Sequence, residues 1–332
     1  MKNLCIIFSF VLLPFLSFSQ TTNTPGVCLD KTCATPNDKA GSFTNTYTNT
    51  QCGLNYAIGG VKLTQRATWQ PGVPQPAAIN INTIPTCVNP SQDILRAYVY
   101  WIVEGGPITG SVTLTNPSSS TATFSGTMIG NISGGKCWNW GNTRHFRADV
   151  TSHITGNGAY SISGLPDSNS STKGDTDGAL MIIIYRDPAA TYQGTIVLHD
   201  GNILVGGGGQ NHTLTGFSAC AAGTNASAFS VIGDLQNNVT TTSAVTMNGV
   251  TANVPNNFFN LEIRNVTVTA GQSNSLFGVS TSSDCWSWIC SGLYFQTNSC
   301  VTCTPSGSGN PSWTNPSPIC AANGSINLNS LV

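Results

Sequence analysis

Charged side chains are scarce in this chain, and glutamate is almost missing. Lys, Arg, Asp and Glu make up 8% of the 332 residues, against roughly 25% in typical soluble proteins. Glu104 and Glu262 are the only glutamates. Because cations are few and unclustered, the composition predicts no nucleic-acid partner and no polybasic membrane patch. A polysaccharide-degrading enzyme is the least favoured function, since no spacing of carboxylates indicates a glycosidase pair.

Beyond residue 19 the sequence also lacks any apolar run long enough to cross a bilayer, so no membrane span is predicted. The N-terminus is different. Lys2 precedes an apolar segment, Leu4 to Phe18, and Ser17 and Ser19 stand at the −3 and −1 positions of a cleavage site. This pattern is typical of a secretory signal peptide over residues 1–19. It predicts a protein that is secreted or held at the cell surface.

Cysteine, in contrast, is plentiful. The chain has 12 cysteines, and Cys5 leaves with the signal peptide. Because an exported chain favours disulfides, we predict five bridges among ten cysteines, with Cys320 paired beyond residue 332. Local pairs Cys28–Cys33 and Cys285–Cys290 are favoured, since short loops lose least entropy on closure. The ten predicted disulfide residues are Cys28, Cys33, Cys52, Cys87, Cys137, Cys220, Cys285, Cys290, Cys300 and Cys303.

Helical periodicity is nearly absent, whereas short apolar runs bounded by turn residues recur. The longest, Ala179–Tyr185, is followed by a second run at Thr195–Leu198. Both are rich in β-branched residues and predict two neighbouring buried strands at the heart of a sandwich. Asp93–Glu104 predicts another central strand, and Gly206–Gly209 a loop. About a dozen such strands favour an all-β, jelly-roll-like antiparallel β-sandwich with disulfide-pinned loops.

Composition also divides the chain into segments. Residues 20–53 form a Thr/Asn-rich, Cys-containing leader, and residues 54–299 the predicted sandwich. Within the sandwich, the Pro-rich residues 70–90 predict a loop. Residues 300–318 are a Pro/Ser/Gly linker. Residues 319–332 alternate apolar and Asn residues, which predicts the truncated start of a following Ig-like repeat.

Two segments suggest binding sites. C-W-x-W occurs twice, and tryptophans two apart on a strand share a face. The hypotheses are an aromatic platform for sugar rings or core aromatics packed on a disulfide. Near residue 175, two aspartates in a polar turn predict either a loose calcium site or capping of backbone amides. The candidate ligand-binding residues are Trp138, Trp140, Trp286 and Trp288, and the candidate calcium ligands are Asp175 and Asp177.

His145, Asp149 and His153 are spaced by four residues. Positions four apart on a strand lie about 13 Å from each other, so one metal ion cannot reach all three. We therefore interpret them as structural residues. No nucleophile elbow, zinc signature or Ser-His-Asp order is present, which predicts no catalytic residues and no cofactor other than possible Ca²⁺.

Five segments together resemble a module of large secreted proteins of Bacteroidota. They are DILRAYVYW, FRADVTSHI, GAYSISGL, GDTDGALMIIIYRDP and TIVLHDGN. The resemblance covers roughly residues 90–300. It implies a β-sandwich without assigned catalytic residues, placed ahead of Ig-like or PKD-like repeats and a type IX secretion tail, as in gliding and adhesin-like proteins. The segment ICAANGSINLNSLV resembles the opening of such a repeat, although the repeats and the tail are not in this chain.

The predicted function is therefore a non-enzymatic, cell-surface or secreted module of an adhesin-like protein. Its partner would be a surface polysaccharide or a protein. The alternative is a carbohydrate-binding module that uses the paired tryptophans. Exposure of the tryptophan pairs distinguishes these two hypotheses, whereas a cleft with two facing carboxylates would favour an enzyme.

Overall fold

The structure is a computed structural model that describes residues 39–64, 71–105, 110–133, 142–167, 174–235 and 243–298. The described chain is nearly all β-strand, with one short helix, α1 (Pro90–Asp93), and one 3-10 turn (Thr151–His153). The strands are β1 Lys39–Ala40, β2 Phe43–Cys52, β3 Leu54–Lys62, β4 Ala77–Ile81, β5 Ile94–Glu104, β6 Ser111–Thr115, β7 Thr121–Ser125, β8 Thr127–Ser133, β9 Asn142–Asp149, β10 Gly158–Ser163, β11 Asp175–Arg186, β12 Gln193–Thr215, β13 Thr224–Gly233, β14 Ser243–Met247, β15 Val250–Val254, β16 Phe259–Asn265 and β17 Asn274–Thr297. All their pairings are antiparallel, so the all-β prediction is confirmed.

Several predicted features lie outside the described residues. They are the signal peptide, the first part of the leader, the linker at 300–318 and the segment at 319–332. Within the part of the chain that the structure does describe, no helix is long and apolar enough to span a bilayer.

The central sheet has five strands in the order β3-β11-β5-β9-β8. One of its interior strands, β11, places Ile183 between Ala57 of β3 and Ala97 of β5. Because side chains alternate along a strand, β11 sends two apolar sets to opposite faces, and both sets are buried. Leu180, Ile182 and Ile184 belong to one apolar cluster, and Ala179, Met181, Ile183 and Tyr185 to another. The predicted central strand, covered on both faces, is confirmed.

The small sheet has four strands in the order β4-β10-β6-β7 and covers one face of the central sheet. Between the two sheets, the rings of Trp101 and Phe146 stack with centroids 5.3 Å apart. Gly126 lies where the chain passes from β7 in the small sheet to β8 in the central sheet. A Cβ at this glycine would lie 2.3 Å from the Trp101 ring, so only glycine allows the crossing at this position.

The large sheet has eight strands and covers the other face of the central sheet. β12 and β17 pair along most of their 23 and 24 residues, with β13, β16, β1, β2, β14 and β15 added around them. The register of β12 against β17 shifts between Asp200 and Ile203 and between Gly206 and Gly208. β-bulges of this kind bend a strand. Because of this bend, residues on both sides of the second shift, such as Val205 and Leu214 of β12, belong to one apolar cluster, the third in the structure.

Several sequence predictions were wrong in detail. The predicted double sheet is a stack of three sheets, and a jelly roll is not confirmed. The two apolar runs do not pair as neighbours, because β11 lies in the central sheet and β12 in the large one. The Pro-rich region contains β4 (Ala77–Ile81), and the leader contains β2. Gly206–Gly209 lies within β12 rather than in a loop.

Candidate functional site

The second tryptophan pair is interior. Trp286 and Trp288 share one face of β17, as the sequence predicted, but both side chains are fully buried. Their rings lie 6.3 Å apart by centroid, and Trp288 Nε1 donates to Ser291 Oγ at 2.9 Å. Because neither ring reaches the surface, these two residues form core rather than a sugar platform. Trp138 and Trp140 lie outside the described residues.

The candidate calcium ligands begin strand β11 and do not lie in an exposed turn, contrary to the prediction. Asp175 and Asp177 are both fully buried. The hydroxyl of Thr64 donates to Asp175 Oδ2 at 2.5 Å, and the backbone N–H of Leu63 donates to the Asp177 carbonyl at 2.9 Å. Among the described residues, no group of three or more His, Cys, Asp or Glu is arranged to bind a metal ion. Calcium binding therefore stays a prediction.

One predicted disulfide is contradicted by the structure. Cys290 is a free, fully buried thiol, so the predicted Cys285–Cys290 pair is wrong. The two residues lie five positions apart on the extended strand β17, which separates their Cα atoms by about 16 Å. A disulfide needs less than about 7 Å. Cys52, Cys87, Cys220 and Cys285 are disulfide-bonded. Cys28, Cys33, Cys137, Cys300, Cys303 and Cys320 lie outside the described residues, so the connectivity stays a prediction.

A buried polar group, which we call the Asp200 cluster, joins the central and large sheets. It consists of Thr46, Tyr100, Arg147, Asp200 and Cys290. Tyr100 donates to Asp200 Oδ2 at 2.9 Å, Thr46 donates to Asp200 Oδ1 at 2.5 Å, and the Arg147 guanidinium forms an ion pair with the same carboxylate. The Asp200 carboxylate thus accepts hydrogen bonds from side chains of three different strands.

Ionisation within the Asp200 cluster is shifted by burial. Burial raises the pKa of the Cys290 thiol, and the negative charge of Asp200 raises it further. The pKa of Tyr100 is raised by the same two causes. Burial lowers the pKa of Arg147, but the charge and hydrogen bonds of Asp200 and Tyr100 together outweigh that effect and leave the pKa raised. The thiol therefore stays protonated at neutral pH, which is the opposite of an activated cysteine nucleophile.

The four histidines also bond within the fold. His145 Nδ1 donates to the Gly201 carbonyl at 2.9 Å, and His153 Nε2 donates to the carbonyl of Leu114 at 3.1 Å. His199 Nε2 donates to the Thr215 carbonyl at 3.0 Å, which leaves its Nδ1 to accept from His212 Nε2 at 2.9 Å. Asp149 caps Thr151, accepting from its backbone N–H at 3.0 Å. These contacts are structural, in agreement with the sequence interpretation of His145, Asp149 and His153.

The outward face of the small sheet has a uniform chemistry, and the sequence analysis did not identify it. Its side chains are all small and uncharged, and we call it the hydroxyl face. None of its residues is buried, whereas the alternate positions of the same strands point inward. The hydroxyl face consists of Ala78, Asn80, Ser111, Thr113, Thr115, Thr121, Thr123, Ser125, Ala159, Ser161 and Ser163.

Strand register sets the hydroxyls in rows. Thr113 lies opposite Thr123 with their hydroxyls 2.9 Å apart, and Thr115 lies opposite Thr121 at 2.8 Å. Ser161 of β10 extends the row of Thr115 on its other side. The alternation in SVTLT and TATFS predicts which side chains share a face. It does not show which face packs against another sheet.

Comparison with known proteins does not place the chain in a family. A scan against models of protein families gives no match, and neither does a search of curated proteins. Among solved structures, BuGH86 in complex with neoagarooctaose aligns with a TM-score of 0.24 at 12% identity, over 77% of this chain and 34% of that chain. The infectious bursal disease virus Gx strain aligns with a TM-score of 0.22 at 13% identity, over 80% and 75%. Similarities this low carry no argument about fold or function.

Proposed function

We propose that this chain is a non-enzymatic module of an exported, adhesin-like surface protein, which holds its partner without transforming it. One observation supports the proposal most: charged side chains of the described residues form ion pairs with one another inside the fold. Arg147 pairs with Asp200, Arg186 Nη2 lies 2.6 Å from Asp93 Oδ1, and Arg264 Nη2 lies 2.5 Å from Glu262 Oε2.

General acid–base catalysis requires a titratable group that reaches a bound substrate. His145 and Cys290, two groups with strongly shifted pKa values, are badly placed for that role. Burial lowers the pKa of His145 to about 4 while its Nδ1–H is bonded to a backbone carbonyl. Cys290, whose pKa burial raises, is fully buried. Both pKa shifts arise from packing between sheets, which favours a structural explanation over a catalytic one.

The finer parts of the proposal rest on the sequence. The predicted signal peptide and the abundance of cysteine favour an extracellular site with disulfide-pinned loops. The expected partner is a surface polysaccharide or a protein. Nucleic acid is not expected, because the chain has too little positive charge to attract it. The second candidate, sugar binding by paired tryptophans, loses the support of Trp286 and Trp288, since both are buried.

A bead assay tests this function. The mature chain is coupled to fluorescent beads, which are washed over surfaces coated with polysaccharides or extracellular proteins. Beads that carry an unrelated protein of similar net charge serve as the control. We expect retention on at least one surface and no new reducing ends when the soluble protein is incubated with the same polysaccharides. Hydrolysis that disappears in Glu104→Gln or Glu262→Gln would instead establish an enzyme, and beads that adhere nowhere would contradict the proposal.

A further inference from the structure

We propose that the hydroxyl face of the small sheet binds an uncharged polysaccharide. This inference rests on the proposed binding function and names the class of its ligand and the surface that takes it. It is independent of the tryptophans, because Trp286 and Trp288 are interior.

The hydroxyl face carries only small side chains and no charge. No side chain on it is larger than Asn80, and none is ionisable. Long charged side chains would hold a ligand away from the backbone and would have to lose their hydration on contact. Small hydroxyl and methyl groups avoid both costs. The face has no cation to pair with sulfate or carboxylate groups, so it suits a neutral polymer and not an acidic one.

The hydroxyls are already ordered before a ligand arrives. Thr113 and Thr123 hydrogen-bond to each other, as do Thr115 and Thr121. β-branched side chains are stiff about χ1, so little rotamer freedom is lost on binding. A hydroxyl carries one donor and two acceptor positions. Each bonded pair therefore keeps a donor and several acceptors for a ligand, which is the mixed set that sugar hydroxyls require.

The size of the face decides between a second copy of this chain and a polymer. Four strands about 4.8 Å apart, three with five residues and one with six, cover roughly 15 Å by 17 Å, or about 250 Å². A stable protein–protein interface needs about 800 Å² from each partner. The hydroxyl face alone is too small for a stable dimer. A repeating polymer can instead engage many copies displayed on one surface, so that weak single contacts add up to firm attachment.

The test is a depletion assay with the full mature chain. Insoluble cellulose, starch granules and agarose are the neutral probes, and alginate gel is the acidic one. We expect retention on at least one neutral polysaccharide and none on alginate. The variant Thr113→Lys/Thr123→Lys places two charges in the middle of the face. Because these ammonium groups would lose hydration on contact, bound protein should fall about tenfold or more.

The chain offers a matched control. Thr246 and Thr251 form the same kind of exposed cross-strand pair on the hairpin β14–β15, with hydroxyls 2.8 Å apart. The variant Thr246→Lys/Thr251→Lys should bind like the unmodified protein, and both variants should melt within a few degrees of it. No retention on any neutral polysaccharide, or equal losses in the two variants, would overturn the proposal.

The bead assay separates failure of this inference from failure of the proposed function. Adhesion that persists with Thr113→Lys/Thr123→Lys would show a binding module that uses another surface, and the hydroxyl face would be rejected. Beads with the unmodified chain that adhere to nothing would reject the binding function itself. Loss of adhesion only in the face variant supports both.

Discussion

The central sheet is covered on both faces, but its two interfaces differ in chemistry. Toward the small sheet, Met181 and Ile183 pack in a cluster of apolar residues, in which polar atoms belong only to aromatic side chains such as Tyr185. Toward the large sheet, Ile182 and Ile184 begin an apolar cluster. This second interface continues into the Asp200 cluster, where a carboxylate, a phenol and a thiol are buried together and the carboxylate pairs with the partly exposed Arg147.

The difference indicates what each interface contributes. Burial of apolar area is non-directional and supplies most of the driving force for folding. Hydrogen bonds to a buried carboxylate are directional, and a buried ion pair adds little net stability. Asp200 accepts from Thr46, Tyr100 and Arg147, which belong to three different strands. We therefore hypothesise that the apolar interface provides stability and that the Asp200 cluster fixes the alignment of the two sheets.

Removal of Asp200 should have the largest effect. Asp200→Ala leaves the Arg147 charge and the Tyr100 hydroxyl without their buried acceptor, which costs about 3–4 kcal/mol of unfolding free energy. We place the value at the lower end of the usual range, because 24% of the Arg147 side chain is exposed. Urea unfolding followed by tryptophan fluorescence measures the loss.

The double variant Asp200→Leu/Arg147→Leu is the control. It removes both charges and should be more stable than Asp200→Ala, because no unpaired charge is left between the sheets. A double variant that is less stable than the single one would contradict this account of the Asp200 cluster. It would mean that the unpaired charge of Arg147 is not what destabilises Asp200→Ala.

The apolar packing of β11 should have the next largest effect. Ile182 and Ile183 are both fully buried but face opposite interfaces. Each Ile→Ala substitution should cost about 3 kcal/mol through lost burial and a residual cavity. Thr123→Ala, on the hydroxyl face, should stay within about 0.5 kcal/mol. Urea unfolding of the three variants decides the point. An Ile183→Ala protein as stable as Thr123→Ala would show that the small sheet packs loosely.

The sequence predicted the parts of the fold that depend on local pattern. The β-branched run of β11 and its split between two faces follow from alternation alone, and β5 was predicted within a residue of its start. Strand β4 also alternates, with Ala77, Ile79 and Ile81 buried, but the surrounding prolines concealed it. A local pattern shows that side chains share a face. It does not show whether that face is inside, and the platform predicted for Trp286 and Trp288 was wrong for this reason.

The Asp200 cluster was beyond a sequence prediction for a different reason. Arg147 and Asp200 are 53 residues apart, and they meet only because β9 and β12 lie in different sheets that face each other. The hydroxyl face was missed similarly, since β6, β7 and β10 are each recognisable as strands, but only the observed pairing shows that β10 lies beside β6. Contacts between sheets depend on the order of strands, which the periodicity of one strand does not contain.

Acid should weaken the interface between the central and large sheets, with the smallest effect of the three. Burial lowers the pKa of His145 to about 4, although the backbone hydrogen bond to Gly201 opposes the shift. Above about pH 6.5 this histidine is neutral in both the folded and the unfolded chain. Between pH 6.5 and 4 the unfolded chain binds a proton that the folded chain does not, so stability falls as the pH falls. The contribution of His145 to the loss at pH 5 should be about 2 kcal/mol relative to pH 7.5. Urea unfolding at the two pH values measures it, and His145→Gln, which does not titrate, should lose about 2 kcal/mol less between them. Because His199 and His212 titrate equally in both proteins, the difference isolates His145. The same pH dependence in both proteins would show that the ring of His145 is not held away from water at this interface.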